Sequence, residues 1–246
     1  MKPYRLIPIV ECGDPLVPIP SDLFSMESPH PYAKLGAPYG NKSPYFVRSG
    51  VLNLLLNAQQ KLQVQQPKWR IHLFDAYRPI AVQQFMVDHA FQEVLQQQGL
   101  QEEELSDDQQ ATLRQQVYQF WAIPSHNPAT PPPHSTGAAI DITLVNQWGD
   151  IVDMGSPIDE ISPRSFPDYF APNSPYSSQW TVKLAIASSY HQQRTLLNQI
   201  MTDVGFRQHS QEWWHFSYGD QLWAWLDKDQ PQTGIQTMPV ARYGGI

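Results

Sequence analysis

His134-Ser135-Thr136-Gly137-Ala138-Ala139-Ile140-Asp141-Ile142-Thr143-Leu144 is the stretch that sets how this chain folds. It follows a segment, 124–133, with five prolines, which no regular element accommodates because each proline lacks a donor and locks φ. After Gly137, the residues Ile140, Ile142 and Leu144 alternate with Asp141 and Thr143. That period predicts a strand with one apolar face and a second face carrying a carboxylate. His134 and Asp141 are seven apart, an odd interval that would put them on opposite faces of one straight strand. A turn at Gly137 lets a loop-then-strand path bring both to one point.

Working outward, residues 185–204 repeat apolar positions at helical spacing and end at Gly205, the usual stop. Phe206 to Phe216 then reads as the last core strand region and contains Glu212-Trp213-Trp214-His215. Upstream, Val51, Leu54, Leu55, Ala58 and Leu62 predict a buried helix. Trp69–Tyr77 alternates, with Ile71 and Leu73 opposite Arg70 and His72, and predicts a strand. Pro79 opens a glutamine-rich region, 80–122, that reads as a helical hairpin. Its first helix carries Val82, Phe85, Met86 and His89; its second carries Leu113, Val117 and Phe120 and starts from a capping box at Ser106–Gln109. Residues 1–45 read as an extended arm with a short strand at Leu6–Val10, and 155–180 as a surface loop rimming a cleft. One domain over 1–246 is expected, with 80–122 as an insertion.

Hydrophobic residues make up 41% and charged residues 16%, a globular balance. The net charge is −7 and no basic run exists to neutralise phosphates, so a nucleic-acid partner is not expected. Cys12 is the only cysteine, which excludes an intrachain disulfide and a thiolate metal site. Neither a signal peptide nor an apolar run of about 18 residues is visible, so a cytoplasmic protein without membrane association is expected.

Two imidazoles and a carboxylate with a fourth position left to water is the ligand set of a catalytic zinc site. His134, Asp141 and His215 supply it, and Glu212 is then the spare carboxylate able to take a proton from that water. Without more, a loop histidine and a surface aspartate remain an alternative for the first pair.

The pattern His134-x-x-Gly137-x-Ala139-x-Asp141 followed by Glu212-Trp213-Trp214-His215-Phe216 resembles the D-alanyl-D-alanine dipeptidases of the VanX type. These are zinc peptidases grouped with D,D-carboxypeptidases and hedgehog-like domains. Phe74-Asp75-Ala76-Tyr77-Arg78-Pro79 resembles the arginine segment of that family, and Met154-Gly155-Ser156-Pro157-Ile158-Asp159 its substrate-amine segment. The resemblance implies an α+β fold, an antiparallel sheet with helices packed behind it. It also implies one Zn2+ per chain on His134, Asp141 and His215, with Glu212 as general base. Arg78 would stabilise the oxyanion, its alternative being a salt bridge with Asp75, and Asp159 would bind the ammonium of a small dipeptide substrate. Pro132 stands where the family has a serine that helps hold the amine, and Ile158 replaces a phenylalanine. The rival readings are a D,D-carboxypeptidase acting on longer peptidoglycan stems and a zinc-stabilised binding domain without hydrolysis.

Overall fold

The fold is taken from a computed structural model that describes residues 2–227 and 238–246. The side chain of Phe120, expected on the buried face of its helix, lies outside the described residues. In chain order the strands are β1 Leu16–Pro18, β2 Ser25–Met26, β3 Phe46–Arg48, β4 Arg70–Asp75, β5 Ala139–Val145, β6 Arg207–Gln208 and β7 His215–Ser217. The α-helices are α1 Pro31–Lys34, α2 Ser49–Gln65, α3 Ile80–Gln98, α4 Asp107–Phe120, α5 Leu184–Thr202 and α6 Gln221–Asp227.

The main sheet has the order β2-β4-β5-β7-β6. Every pairing is antiparallel except the parallel contact of the short edge strand β2 with β4. Alternation along β4 and β5 does what the sequence pattern requires. Ile71, Leu73, Ile140, Ile142 and Leu144 face inward and join Val51, Leu55 and Leu62 of α2 with Leu197, Ile200 and Met201 of α5 in the largest core cluster. Burying each such side chain stabilises the fold by roughly 1.5–3 kcal/mol. The helices therefore cover one face of the sheet, as expected, and the polar face is left for the site. No helix among the described residues is long and apolar enough to cross a membrane.

Two helices occupy the 80–122 region, and the face of α3 that meets α4 is not the Val82, Phe85, Met86 stripe, which packs on Tyr32 and Tyr39 of the arm. Val87, Phe91 and Leu95 of α3 pack against Leu113 and Val117 of α4. The capping box is present, with Ser106 Oγ accepting from Gln109 N–H and Gln109 Oε1 accepting from Ser106 N–H at 2.9 Å.

The arm differs from its expectation. Instead of a strand at Leu6–Val10, a 3-10 turn spans Pro3–Leu6 and only Ile9 makes an isolated bridge, to Ala241. Pro8 stands in the middle of this stretch and cannot donate to a ladder, so a continuous strand is not available there. Further on, the arm supplies β1, which pairs with β3, and β2 and α1, which reach the site.

Arg48 ties several segments together from one buried position. Its guanidinium donates to the carbonyls of Asp14, Thr136 and Gly244 and pairs with Glu11 Oε2 at 3.1 Å. Thr136 belongs to the 3-10 turn Pro133–Thr136 that carries His134.

Candidate metal centre and substrate cleft

The site is a row across the sheet. Asp75 of β4 faces Asp141 of β5, which faces His215 of β7. Asp75 reaches this face only because the register shifts between Leu73 and Asp75. Without that bulge, simple alternation would place Asp75 with Leu73 in the core. His134 arrives from above. Its turn ends at Gly137, whose φ of 71° is left-handed and where an added Cβ would lie 2.6 Å from Leu16 Cδ1. Both facts explain why glycine stands there.

His134, Asp141 and His215 are all buried, and one ligand atom from each lies within 4.8 Å of the others. The hydrogen bonds behind them define what these atoms offer. His134 Nδ1 meets the Ala76 carbonyl at 2.8 Å, which can only accept, so the proton sits on Nδ1 and Nε2 keeps its lone pair. Ser217 Oγ donates to Asp220 Oδ2 at 2.9 Å, and therefore accepts from His215 Nε2–H at 3.3 Å. That leaves a lone pair on His215 Nδ1. The inner nitrogens stand 3.3 Å apart, and the Asp141 oxygens lie 3.2 Å from His134 Nε2 and 3.0 Å from His215 Nδ1. Three sets of acceptors converge with no donor among them, which is a cradle for a cation. The titration of the groups agrees. Burial disfavours charge on both partners, yet the imidazoles hold Asp141 below the usual carboxylate range and Asp141 raises His215. These residues fit a divalent metal of the borderline kind that takes imidazole and carboxylate together.

The remaining side chains singled out in the sequence flank the cradle on two sides. Glu212 lies on one. The segment 209–215 turns back on itself, with His209 N–H donating to the His215 carbonyl, so Glu212 and His215 become neighbours. Glu212 Oε2 is 3.7 Å from His215 Nδ1. Trp213 and Trp214 pack into the main core, while Glu212 stays half-buried at the cleft wall.

Arg78 and Asp159 lie on the opposite flank. Arg78 is buried, donates to Asp75 Oδ2 at 3.0 and 2.6 Å and to Gln83 Oε1 at 2.9 Å, and stands 3.8 Å from Asp141 Oδ2. The salt bridge and a position facing the cleft coexist. Asp159 has a left-handed backbone (φ 64°) and is open to solvent as a residue, but its carboxylate turns inward and accepts from Tyr32 Oη at 2.8 Å. Lost hydration on that inner side, with repulsion from Asp141, pushes its pKa up to about 7. Tyr32 also accepts from Arg78 Nη2 at 3.3 Å. A hydroxyl therefore does stand beside Asp159, although Pro132 offers none.

Several participants go beyond the site residues that the sequence offers, including Asp75, which the sequence offers only as a salt-bridge partner for Arg78. Asp75 is fully buried between Arg78 and His30 Nε2, the latter at 3.1 Å. Tyr32 and His30 come from the arm, which carried no periodic signal. His209 lines the cleft with its ring 5.7 Å from that of His215. Lys2 and Tyr4 line it too. The enclosed volume is about 590 Å³.

Comparison with known proteins shows which family the chain belongs to. A D-alanyl-D-alanine dipeptidase of Synechocystis sp. (strain ATCC 27184 / PCC 6803 / Kazusa) is 52% identical over 246 residues, covering 100% of this chain and 97% of that protein. The D-alanyl-D-alanine dipeptidase of Escherichia coli (strain K12) is 42% identical over 83 residues, 34% of this chain and 36% of that one. Among solved structures, the vancomycin resistance D,D-pentapeptidase VanY, in complex with Zn(II), aligns with a TM-score of 0.41 at 14% identity, over 87% of this chain and 88% of that one. The sequence pattern of the family Peptidase_M15, described as D-ala-D-ala dipeptidase, matches residues 25–234. With most of its length matched to that pattern and its whole length to the Synechocystis protein, the chain belongs to the D-ala-D-ala dipeptidase family of peptidases.

Proposed function

We propose that the chain hydrolyses D-alanyl-D-alanine and similar small dipeptides to free amino acids, with one zinc ion held by His134, Asp141 and His215. The observation that carries this reading is the donor-free convergence of His134 Nε2, His215 Nδ1 and the Asp141 carboxylate, flanked by Glu212 on one side and Asp159 on the other. Zinc on these residues would supply Lewis acidity, the chemistry that brings the pKa of a water toward about 7.

The chain's own groups do the rest. Glu212, beside a ligand but not needed as one, takes the proton of the attacking water and delivers it to the departing amine. The Arg78 guanidinium, held rigid by Asp75 and Gln83, faces the oxygen on which negative charge develops. Asp159 receives the free ammonium of the substrate and puts a carboxylate where a longer peptide would have to continue. A stem-peptide carboxypeptidase has no use for such a group, and a purely structural zinc has no use for Glu212.

The deciding experiment compares D-Ala-D-Ala with its N-acetyl derivative, with and without zinc. Zinc-dependent cleavage of the free dipeptide, with kcat/KM for the acetylated one lower by roughly 30- to 1,000-fold, is expected from loss of a charge-assisted contact. Equal cleavage of both overturns the dipeptidase reading.

A further inference from the structure

A zwitterionic dipeptide has two charged ends, and only the ammonium has found a partner so far. Side-chain contacts order the cleft. Asp159 touches Tyr32, Tyr32 touches Arg78, Arg78 approaches Asp141, Asp141 meets His215, and His215 neighbours Glu212. If the ammonium sits at Asp159 and the scissile carbonyl at the cradle, the carboxylate end falls on the Glu212 flank. A carboxylate there is repelled by Glu212 unless a cation offsets it.

Among the described residues, Lys2 and Arg78 are the lysine and arginine side chains that line this cleft. Arg78 lies on the ammonium flank, and four of its five N–H groups are committed to Asp75, Gln83 and Tyr32, which leaves one for the oxyanion and none to spare. Lys2 lies on the other flank, within electrostatic reach of Glu212 and His209. Its ammonium makes no hydrogen bond and no ion pair with the described residues. Its backbone is held in place. Tyr4 is buried, Arg5 Nη2 donates to the Ile123 carbonyl at 2.8 Å, and Gln221 Nε2 donates to the carbonyls of Arg5 and Ile7. A cation on an anchored arm, free of partners and facing a cleft with a glutamate in its wall, has the character of a ligand-binding group.

We infer that Lys2 receives the C-terminal carboxylate of the dipeptide and so restricts cleavage to substrates with a free acid end. The inference rests on the dipeptidase reading above and adds the selectivity of its second end. Lys2 is exposed as a residue, and the part of it that faces the cleft loses enough hydration to lower its pKa, which Glu212 opposes.

The test compares D-Ala-D-Ala with its C-terminal amide in wild-type, Lys2→Met and Lys2→Arg zinc enzymes. Lys2→Met is expected to lower kcat/KM for the acid by about 10- to 100-fold, mostly through KM, with little change for the amide, as suits one charge-assisted contact. Lys2→Arg should restore most of the loss. Binding of acid and amide to zinc-loaded Glu212→Gln, with and without Lys2→Met, reads the same preference calorimetrically without turnover. A wild-type enzyme that leaves D-Ala-D-Ala intact overturns the proposed reaction. An acid-to-amide ratio unchanged by Lys2→Met, in rate or in binding, overturns the assignment of Lys2 alone.

Discussion

Two cavities share the polar face of the main sheet, and the larger one lacks the chemistry. The cleft over Asp141 encloses about 590 Å³, whereas its neighbour over Thr143 encloses about 780 Å³. Asp141 and Thr143 are two residues apart on β5 and point the same way. In the second cavity the walls are aromatic, with Tyr169, Phe170, Trp180 and Tyr190, and its buried imidazole is already paired. His72 bonds Ser25 Oγ at 2.9 Å and Glu27 at 3.0 Å. Only the Thr143 hydroxyl is left buried without a partner. In the first cavity, by contrast, lone pairs face one another across 3 Å and a salt bridge underlies them. Unmet electrostatic demand marks a site, and volume alone does not.

The sharpest way to break this comparison is to remove the demand. His215→Ala should lose both the metal and the rate, seen by metal analysis beside turnover. Glu212→Gln should keep the metal and lose ~10²–10⁴-fold in kcat, the usual weight of a general base. Near-normal turnover in the second variant would move the base elsewhere.

Arg78→Ala tests the buried support. It should cost ~10²–10³-fold in kcat through the lost oxyanion donor. It should also cost about 3–5 kcal/mol in denaturant unfolding, because Asp75 is left as an uncompensated buried charge. A rate loss without a stability loss would mean that Asp75 is satisfied by His30 alone.

Asp159→Asn should lower kcat/KM for the free dipeptide by roughly 30- to 1,000-fold and scarcely affect the acetylated one. The sign with pH follows from its raised value of about 7. As pH falls through that region the carboxylate gains a proton and its hold on the ammonium is lost, so kcat/KM should fall, and Asp159→Asn should lack this limb. A cation on Asp141 relieves the repulsion and lowers the Asp159 pKa, which titration of that carboxylate by NMR in metal-free and zinc-loaded protein would read.

The smallest effect belongs to the second cavity. Thr143→Val should leave turnover unchanged and raise stability by about 1 kcal/mol or less, since it deletes an unpaired buried hydroxyl. Loss of activity in that variant would show that the two cavities are coupled.

Much of this arrangement is legible in the chain because strands write alternation into sequence. Ile140, Ile142 and Leu144 announce which face of β5 is core, hence that Asp141 is on the other. Gly137 announces the turn that brings His134 over it. Phe74 conceals the opposite case. Read by alternation, Asp75 belongs with Leu73 in the core, and only the bulge against β5 turns it to the site. A bulge is a property of two strands in register, and neither strand shows it alone. Lys2, His30 and Tyr32 were unreadable for another reason. Their segments are too short and proline-interrupted to carry a period, and the groups they face lie far along the chain, 127 residues away for Tyr32 and Asp159. The loop over 155–180 reads as mere rim, yet Tyr169 and Phe170 give it a small core of its own with Ala187.

Arg48 adds a constraint on timing. Protein synthesis delivers His134 and Asp141 well before residue 244, yet the turn bearing His134 is clamped by a guanidinium that also needs the Gly244 carbonyl. Ile246 N–H donates to the Ser135 carbonyl in the same turn. A nascent polypeptide thus possesses two ligands long before it possesses their scaffold, and should hold metal weakly until residues 244–246 have emerged. Untying the clamp in finished protein, with Arg48→Met, should reproduce that immature state as weakened zinc retention against a chelator.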